Sequence, residues 1–184
     1  MVNIGIGGKG IEKFSVYRNG GECIDYAANQ LCAYVKRAGG TSLDVTGERK
    51  RGQIVLGTDD RKEKDGFTIA CRDGELFITG GSERGVLYGV YAFLEKFVGW
   101  RFLAAESCYR GQETGAYLAP VEKLFPPETT EINEGYDYTT APVIKFRDLF
   151  GHATVHEDWC AKNRINGDIW KLKTTPAYMG GAET

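Results

Sequence analysis

Two histidines, His152 and His156, stand four residues apart near the C-terminal end of the sequence. That spacing lets one face of a helix present two imidazoles to a zinc ion. Helical zinc sites of this kind carry a glutamate directly after the first histidine, whereas this chain has Ala153 there and no evident third ligand. The sequence therefore predicts no metal site and no bound cofactor.

Residues 5–10 read GIGGKG and satisfy the spacing G-x-G-x-x-G, with which a glycine-rich turn cradles the phosphates of a dinucleotide. Such a turn follows a strand and opens a helix. Here only four residues precede the glycines, and the alternating, strand-like residues 11–17 follow them. We interpret the glycines as a flexible N-terminal segment.

The net charge and the composition of the chain exclude several kinds of partner. A net charge of −2 and a pI near 5.8 create no field that attracts nucleic acid or an acidic membrane. No apolar run is long enough to span a bilayer, and the N-terminus lacks the charged start and apolar core of a secretion signal. The chain is then either cytoplasmic or secreted with its signal trimmed, and its oligomeric state stays open. The five cysteines show no close pairing, so we interpret them as reduced, small apolar residues.

The secondary-structure elements that would position a functional site are organised around residues 65–102. Alternation over residues 67–71 and again over 76–78, around the turn-forming residues 72–75, predicts a β-hairpin. Ser82 is placed to begin a helix whose apolar residues recur at helical spacing, and Gly99 is placed to end it. Residues 100–102 then predict a short strand.

The preceding residues add a strand at 11–17, a helix from Glu22 that Gly39 and Gly40 close, and strands near 42–45 and 53–57. The last of these is continuously apolar, which is typical of a strand buried on both faces. The order predicts an α+β fold, a two-layer sandwich of a mixed β-sheet with two helices on one face.

We assign this sandwich to residues 1–103. The composition of the sequence changes after residue 103. Residues 104–141 are rich in glycine, proline and polar side chains, and we interpret them as a linker or arm. Residues 142–184 form a second organised segment. Its predicted elements are a strand at 143–150, a short helix at 156–163 and another strand at 168–172.

The block DGFTIACRDGELFITGGSERGVLYGVYAFLEKFVGWRFL resembles the N-terminal domain that precedes the barrel in bacterial α-glucuronidases and β-N-acetylhexosaminidases. The likeness is greatest to a large bacterial family of unknown function with the same plan. In that family a segment similar to FRDLF…DWCAKNRING opens the barrel. The resemblance covers most of residues 11–172 and implies that 142–184 are the first strand and helix of a truncated (β/α)8 barrel.

The resemblance also implies that this chain lacks catalytic residues, because in such enzymes the carboxylates come from later barrel strands. Glycoside hydrolysis needs two carboxyl groups held about 5 to 10 Å apart across a sugar. The adjacent pair Glu157 and Asp158 cannot face one another on a helix, and acids at a helix start interact with the helix dipole. We nominate neither as catalytic.

Four residues are candidate sugar-binding residues: Arg147, Asp148, Arg164 and Trp170. On the barrel interpretation Arg147 and Asp148 lie toward the C-terminal end of the first strand, where barrel enzymes keep their sites. Arg147 resembles the arginine with which hexosaminidases clamp sugar hydroxyls, and an indole such as that of Trp170 stacks on a sugar ring. The alternatives stay open: an ion pair between domains for Arg147, turn ordering for Arg164 and Asn166, and core packing for Trp159.

The leading hypothesis is an inactive N-terminal domain of a glycoside hydrolase that acts on uronic-acid or amino-sugar-containing polysaccharide, with carbohydrate as partner of the parent barrel. The rival hypotheses are a stand-alone carbohydrate-binding module and a structural docking module that supports the barrel.

Overall fold

A computed structural model of the chain describes residues 3–39, 41–105, 122–149 and 156–167. The chain divides into two units. The first comprises Met1–Gly99 and Pro126–Val143, and the second comprises Trp100–Phe125 and Ile144–Thr184. The first unit thus draws on two separate stretches of sequence.

The main sheet of the first unit has six strands. They are β3 (Val16–Asn19), β4 (Val45–Thr46), β5 (Ile54–Thr58), β6 (Phe67–Arg72), β7 (Glu75–Gly80) and β11 (Asp137–Thr140). Their order across the sheet is β11-β6-β7-β5-β3-β4. Strands β4, β3, β5 and β7 are parallel, whereas β6 runs antiparallel to both of its neighbours. The predicted mixed sheet is confirmed.

The hairpin of β6 and β7 turns at Asp73 and Gly74, which have φ angles of 53° and 70°. Positive φ at both central residues defines the type I′ turn, whose twist matches that of the two strands. Asp and Gly in that order favour this turn, so the prediction from residues 72–75 is confirmed.

Two helices pack on one face of the sheet and on each other: α1 (Glu22–Gly39) and α2 (Glu83–Phe93), which continues as a π-helical turn over Leu94–Val98. The Ser82 hydroxyl accepts from the Gly85 amide at 3.2 Å and caps α2, and Gly99, with φ of 97°, ends the π-helical turn. The buried core between the layers includes Ile24, Leu31, Ile54, Leu56, Ile69, Leu76, Ile78, Val90 and Phe97. The α+β sandwich with two helices on one face is confirmed.

The N-terminal glycines form a hairpin rather than a flexible segment, so that prediction was wrong. Strands β1 (Gly5–Ile6) and β2 (Lys9–Gly10) pair around Gly7 and Gly8, both with positive φ, and β1 also pairs in parallel with β10 (Glu131–Ile132). The buried side chains of Ile4 and Ile6 anchor the hairpin, while the glycines supply the turn conformation.

The interpretation of residues 104–141 as a linker was wrong for their C-terminal part. Strand β10 lies in the small sheet, β11 forms the edge of the main sheet, and both belong to the first unit. The side chains of β11 are largely exposed, as an edge strand permits, so no alternating apolar pattern marks it in the sequence.

Three strand boundaries also differ from the prediction. Residues 11–13 form a 3-10 turn, Ile11–Lys13, so the strand predicted at 11–17 begins only at Val16. The strand predicted at 42–45 is β4, which starts at Val45. Strand β5 is buried on its helix face, but Val55 on the opposite face is partly exposed, so β5 is not buried on both faces.

The described part of the second unit contains β8 (Trp100–Phe102), β9 (Glu122–Leu124) and a short helix α3 (Glu157–Lys162). Strands β8 and β9 pair antiparallel. The predicted helix at 156–163 is confirmed. Residues 143–146 form bends and residues 147–149 belong to no β-ladder, so the prediction of a strand there was wrong. The strand predicted at 168–172 lies outside the described residues.

No helix among the described residues is long and apolar enough to cross a membrane.

Candidate functional site

The predicted site residue Arg147 lies at the centre of a hydrogen-bond network. Its guanidinium donates to three backbone carbonyls, those of Arg164 at 2.7 Å and of Ile144 and Lys145 at 2.9 Å each. Its own backbone pairs with the Asn166 side chain, whose Oδ1 accepts from the Arg147 amide at 2.7 Å. These contacts explain why residues 143–149 form no strand, since their carbonyls bond locally to a side chain.

Asp148 and Arg164 lie beside this network. One Asp148 oxygen accepts from the Leu149 amide at 2.8 Å, and the other is buried and has no hydrogen-bond partner within the part of the chain that the structure describes. Arg164 has a φ of 58° and ends α3 in the left-handed conformation, with the Ile165 amide donating to the Cys160 carbonyl at 2.9 Å. A Cβ on Gly167 would lie 2.3 Å from the Asp148 Cβ, so only glycine fits that turn.

The structure therefore brings three of the four predicted residues together: Arg147, Asp148 and Arg164. Trp170 lies outside the described residues. The hydrogen bonds of the Arg147 guanidinium to the three carbonyls join the loop at 144–147 to the turn at 164–167.

A cavity of about 440 Å³ opens on another side of α3, within the same unit, and we refer to it as the α3 cavity. Its walls combine two aromatic rings, a histidine, two carboxylates, an ammonium group and two small residues. The lining residues are Phe102, Ala104, Ala105, Glu122, His156, Asp158, Trp159 and Lys162. A concave surface with few convergent polar groups is the usual form of a small-molecule site.

Lys162 connects the charged groups of the α3 cavity. Its Nζ lies 2.5 Å from Asp158 Oδ2 and 3.6 Å from Glu122 Oε2, and 5.4 Å from the centre of the Phe102 ring. The side chain is only 12% exposed, so it is held in place rather than extended into solvent. The Lys162 ammonium therefore lies within 4 Å of both carboxylates.

Trp159 contributes an aromatic face and a polar edge. Its indole Nε1 is buried and has no hydrogen-bond partner among the described residues. Its backbone carbonyl accepts from the Asn163 side chain at 3.0 Å, and the same Asn163 nitrogen donates to the Phe102 carbonyl at 3.3 Å. Asn163 thereby holds α3 against the end of β8.

Local structure places these side chains. Asp158 and Lys162 stand four residues apart on α3 with the acid first, the order that suits both their contact and the helix dipole. Glu122 lies directly opposite Phe102 in the antiparallel pair of β8 and β9. Directly opposite residues of such a pair share a face of the sheet, so Glu122 and Phe102 reach the cavity together.

The spacing of Asp158 and Lys162 was a usable signal, but the sequence interpretation considered Asp158 only as a helix-start acid. Glu122 carried no signal, because its place opposite Phe102 depends on a strand pairing that no local pattern marks. His156 lines the α3 cavity, whereas His152 lies outside the described residues. Within the described ranges, no three His, Cys, Asp or Glu side chains form a group that could hold a metal ion.

Comparison with known proteins yields structures only. No protein-family model matches the chain, and no curated protein matches it. A family GH115 4-O-methyl-α-glucuronidase with specificity for decorated arabinogalactans is similar to 73% of this chain at 13% identity, with a TM-score of 0.51. At that identity the likeness concerns the fold alone.

Two further structures match smaller parts. A GH138 enzyme that targets pectin rhamnogalacturonan II matches 46% of the chain at 19% identity, with a TM-score of 0.35. An inactive mutant of a GH20 exo-β-N-acetylglucosaminidase from Vibrio harveyi matches 45% at 14% identity, with a TM-score of 0.36. These three neighbours are glycoside hydrolases, and the matched regions span 12% to 18% of their chains. The two lower scores add nothing to the fold assignment.

Proposed function

We propose that the chain is the non-catalytic N-terminal domain of a glycoside hydrolase that acts on uronic-acid or amino-sugar-containing polysaccharide. The observation that carries the proposal is the fold likeness to part of an α-glucuronidase over 73% of this chain. Fold alone does not imply chemistry, so the site must agree as well.

The described carboxylates support a non-catalytic role. Glu122 and Asp158 both line the α3 cavity, and the Lys162 ammonium lies within 4 Å of both. A retaining or an inverting glycosidase needs the space between its carboxyl groups for the sugar, and an inverting one also for water. The α3 cavity is therefore suited to holding a sugar rather than to cleaving one.

A hydrolysis assay tests the lack of catalysis. The purified 184-residue chain should release no product from aryl α-glucuronides or aryl β-N-acetylhexosaminides above the rate of a protein-free blank. Turnover that Glu122→Gln or Asp158→Asn abolishes in a folded variant would contradict the proposal.

The coding frame tests the parent enzyme. We expect the frame to continue past the codon for Thr184 for about 200 residues or more, with alternating strand and helix patterns, because a barrel takes about 250 residues. A stop codon directly after Thr184 would contradict a catalytic barrel in the same polypeptide.

A second candidate function is a carbohydrate-binding module that works without an attached catalytic domain. The α3 cavity favours it, since an indole, two carboxylates and an ammonium group are the side chains that stack on a sugar ring and bond to its hydroxyls. Saturable binding of oligosaccharides combined with a stop codon after Thr184 would select this function over the first.

A further inference from the structure

Four pairs in this chain have the residue types for a spontaneous ring closure along the backbone. When glycine follows asparagine or aspartate, the glycine nitrogen can attack the side-chain Cγ, because glycine has no Cβ to obstruct the approach. The chain contains two Asn-Gly pairs, Asn19–Gly20 and Asn166–Gly167, and two Asp-Gly pairs, Asp65–Gly66 and Asp73–Gly74. The tertiary structure decides which of the four can react.

The attacking nitrogen is restrained in three of the pairs. Each of these glycine amides donates to a fixed acceptor: Gly66 to the Glu63 carbonyl at 2.8 Å, Gly74 to the Glu134 carboxylate at 3.1 Å, and Gly167 to the Arg147 carbonyl at 2.9 Å. Such a hydrogen bond stabilises the protonated nitrogen and fixes its direction. Ring closure at these pairs must therefore wait for local opening.

The Asn166 side chain is restrained as well. Its Oδ1 accepts from the Arg147 amide at 2.7 Å, and its Nδ2 donates to the Lys145 carbonyl at 2.8 Å. Asn166 is only 1% exposed. The amide carbon of Asn166 is thus held away from the nitrogen of Gly167.

Asn19 and Gly20 lie in a different environment. Asn19 is exposed and ends β3 opposite Gly57, and the chain then bends at Gly20 and Gly21 before α1 begins. Within the described ranges, neither the Gly20 backbone nitrogen nor the Asn19 side-chain amide has a hydrogen-bond partner. Both reacting groups are therefore accessible to solvent and to one another in the folded chain.

We propose that Asn19 is a deamidation site of the folded chain and that the other three pairs are protected. A bond forms between the Gly20 nitrogen and Asn19 Cγ, while the Cγ–Nδ2 bond breaks. The proton that leaves the Gly20 nitrogen joins Nδ2, which departs as ammonia, and no electrons are transferred. Water then opens the succinimide ring at either carbonyl, which leaves aspartate or isoaspartate at position 19.

The products weaken the junction of β3 and α1. Isoaspartate lengthens the backbone between these two elements by one methylene group. Either product also adds a negative charge to a turn in which the Glu83 carboxylate already accepts from the Gly21 amide at 2.6 Å. We therefore expect the modified chain to melt at a lower temperature than the unmodified chain. This inference is independent of the proposed function.

Peptide mapping after incubation tests the inference. The full chain is incubated in mildly alkaline buffer, which favours loss of the amide proton, and in parallel in the same buffer with concentrated urea. In the folded chain the peptide with Asn19 should gain about 1 Da, the change from amide to carboxyl. Its rate should be at least about ten-fold that of the peptide with Asn166, because Asn166 reacts only after local opening. In urea the two rates should converge.

Asn19→Gln is the matched variant, because it keeps the amide and the charge but would have to close a larger and less favourable ring. The peptide that carries it should gain no mass, and the incubated parent should melt below the incubated variant. Gly20 is left unchanged, since a Cβ there would lie 2.3 Å from Cδ1 of the buried Ile24.

Two results would overturn the assignment of the site: equal rates at Asn19 and Asn166 in the folded chain, or reaction of Asn19 in urea alone. Equal melting temperatures of the incubated parent and the incubated Asn19→Gln variant would overturn the effect on the junction. If Asn19→Gln does not fold, the comparison of buffer with urea on the parent decides the site, and the melting temperature of the parent before and after incubation decides the effect.

Discussion

At the scale of single residues, a buried ion pair in the first unit joins Asp65 and Arg84. Arg84 donates from Nε and Nη2 to the same Asp65 oxygen, at 3.0 Å and 2.9 Å. The two side chains are only 6% and 8% exposed. Arg84 belongs to the first turn of α2 and Asp65 to the loop before β6, so the pair fixes the entry of both elements.

We expect Asp65→Asn to lower the free energy of unfolding by about 3 to 5 kcal/mol, because it removes one charge of a buried ion pair and leaves the other charge buried. Urea denaturation at pH 7 measures the change. Asp137→Asn is the control, since its pair with Arg72 is exposed and such pairs contribute about 0 to 1 kcal/mol. Equal losses of unfolding free energy in the two variants would show that burial does not make the Asp65 pair more important for stability than the exposed pair.

Glu75 gives the sandwich a defined acid sensitivity. Its carboxylate accepts from Arg49 at 2.9 Å and 2.5 Å and from the Gly52 amide at 2.7 Å. The hydrogen bonds from Arg49 are the main reason that the pKa of Glu75 lies below its ordinary value of 4.5, with the amides of Gln53 and Gly52 adding to them against the opposing effect of burial. The folded state therefore binds its proton less readily than the unfolded state.

This difference predicts stability that is present above pH 4.5 and is lost as the pH falls through the lowered pKa of folded Glu75. Glu75→Gln should be less stable than the parent at pH 7 and should lose less stability on acidification. Unfolding curves at pH 7, 4 and 3 measure both effects. A parallel loss of stability in the parent and the variant on acidification would contradict the assignment.

At the scale of elements, the start of α2 is built by glycines that let backbones meet. A Cβ on Gly85 would lie 2.6 Å from the Gly66 carbonyl, and one on Gly81 would lie 1.9 Å from the Glu63 carbonyl. Hydrogen bonds cross the same contact, from the Gly81 amide to Gly66 at 3.0 Å and from the Ser82 hydroxyl to Lys64 at 2.6 Å. The residues GGSERG therefore hold the loop at residues 63–66 against the start of α2.

We expect Gly85→Ala to destabilise the chain by about 1 to 3 kcal/mol, although alanine is normally the better helix former, because the methyl group meets backbone that cannot move aside. Gly47→Ala is the control, since a Cβ there has no neighbour within 4 Å. Thermal melting of the two variants checks the difference. A melting temperature of Gly85→Ala at or above that of the parent would show that the backbone around Gly85 has room for a methyl group.

At the scale of the whole molecule, the first unit depends on residues from beyond the second helix. Strand β11 pairs along β6, and the Tyr136 ring meets the Phe97 ring edge-on at 5.6 Å. The Glu134 carboxylate accepts from the amides of Asp73 and Gly74 at 2.5 Å and 3.1 Å and so caps the hairpin turn. Residues 126–143 are therefore part of this unit rather than a connection out of it.

A fragment of residues 1–103 should accordingly be less stable than the full chain and prone to self-association, because it exposes the edge of β6. A synthetic peptide of residues 126–143 should bind the fragment and raise its melting temperature. A peptide with Glu134→Gln and Tyr136→Ala is the matched control and should bind more weakly. A monomeric fragment with the stability of the full chain would contradict the observed division.

The sequence by itself determined the elements whose signals are local. The alternation and turn residues of 67–78, the Ser82 cap and the Gly99 stop each act over a few residues, so the hairpin, both long helices and the sandwich class followed from them. The candidate residues Arg147, Asp148 and Arg164 lie near one another in the structure, and their role in sugar binding stays a prediction.

Only the tertiary structure decided which strands complete the sheets and which side chains face the α3 cavity. Strands β10 and β11 pair with partners more than 60 residues away, at Gly5 and along β6, through backbone groups that every residue type possesses. For the same reason no local sequence pattern marks Glu122, whose position opposite Phe102 follows from a strand pairing. The strand predicted around Arg147 failed for a related reason, since the hydrogen bonds of its guanidinium to the carbonyls of Ile144, Lys145 and Arg164 override the strand preference of the neighbouring apolar residues.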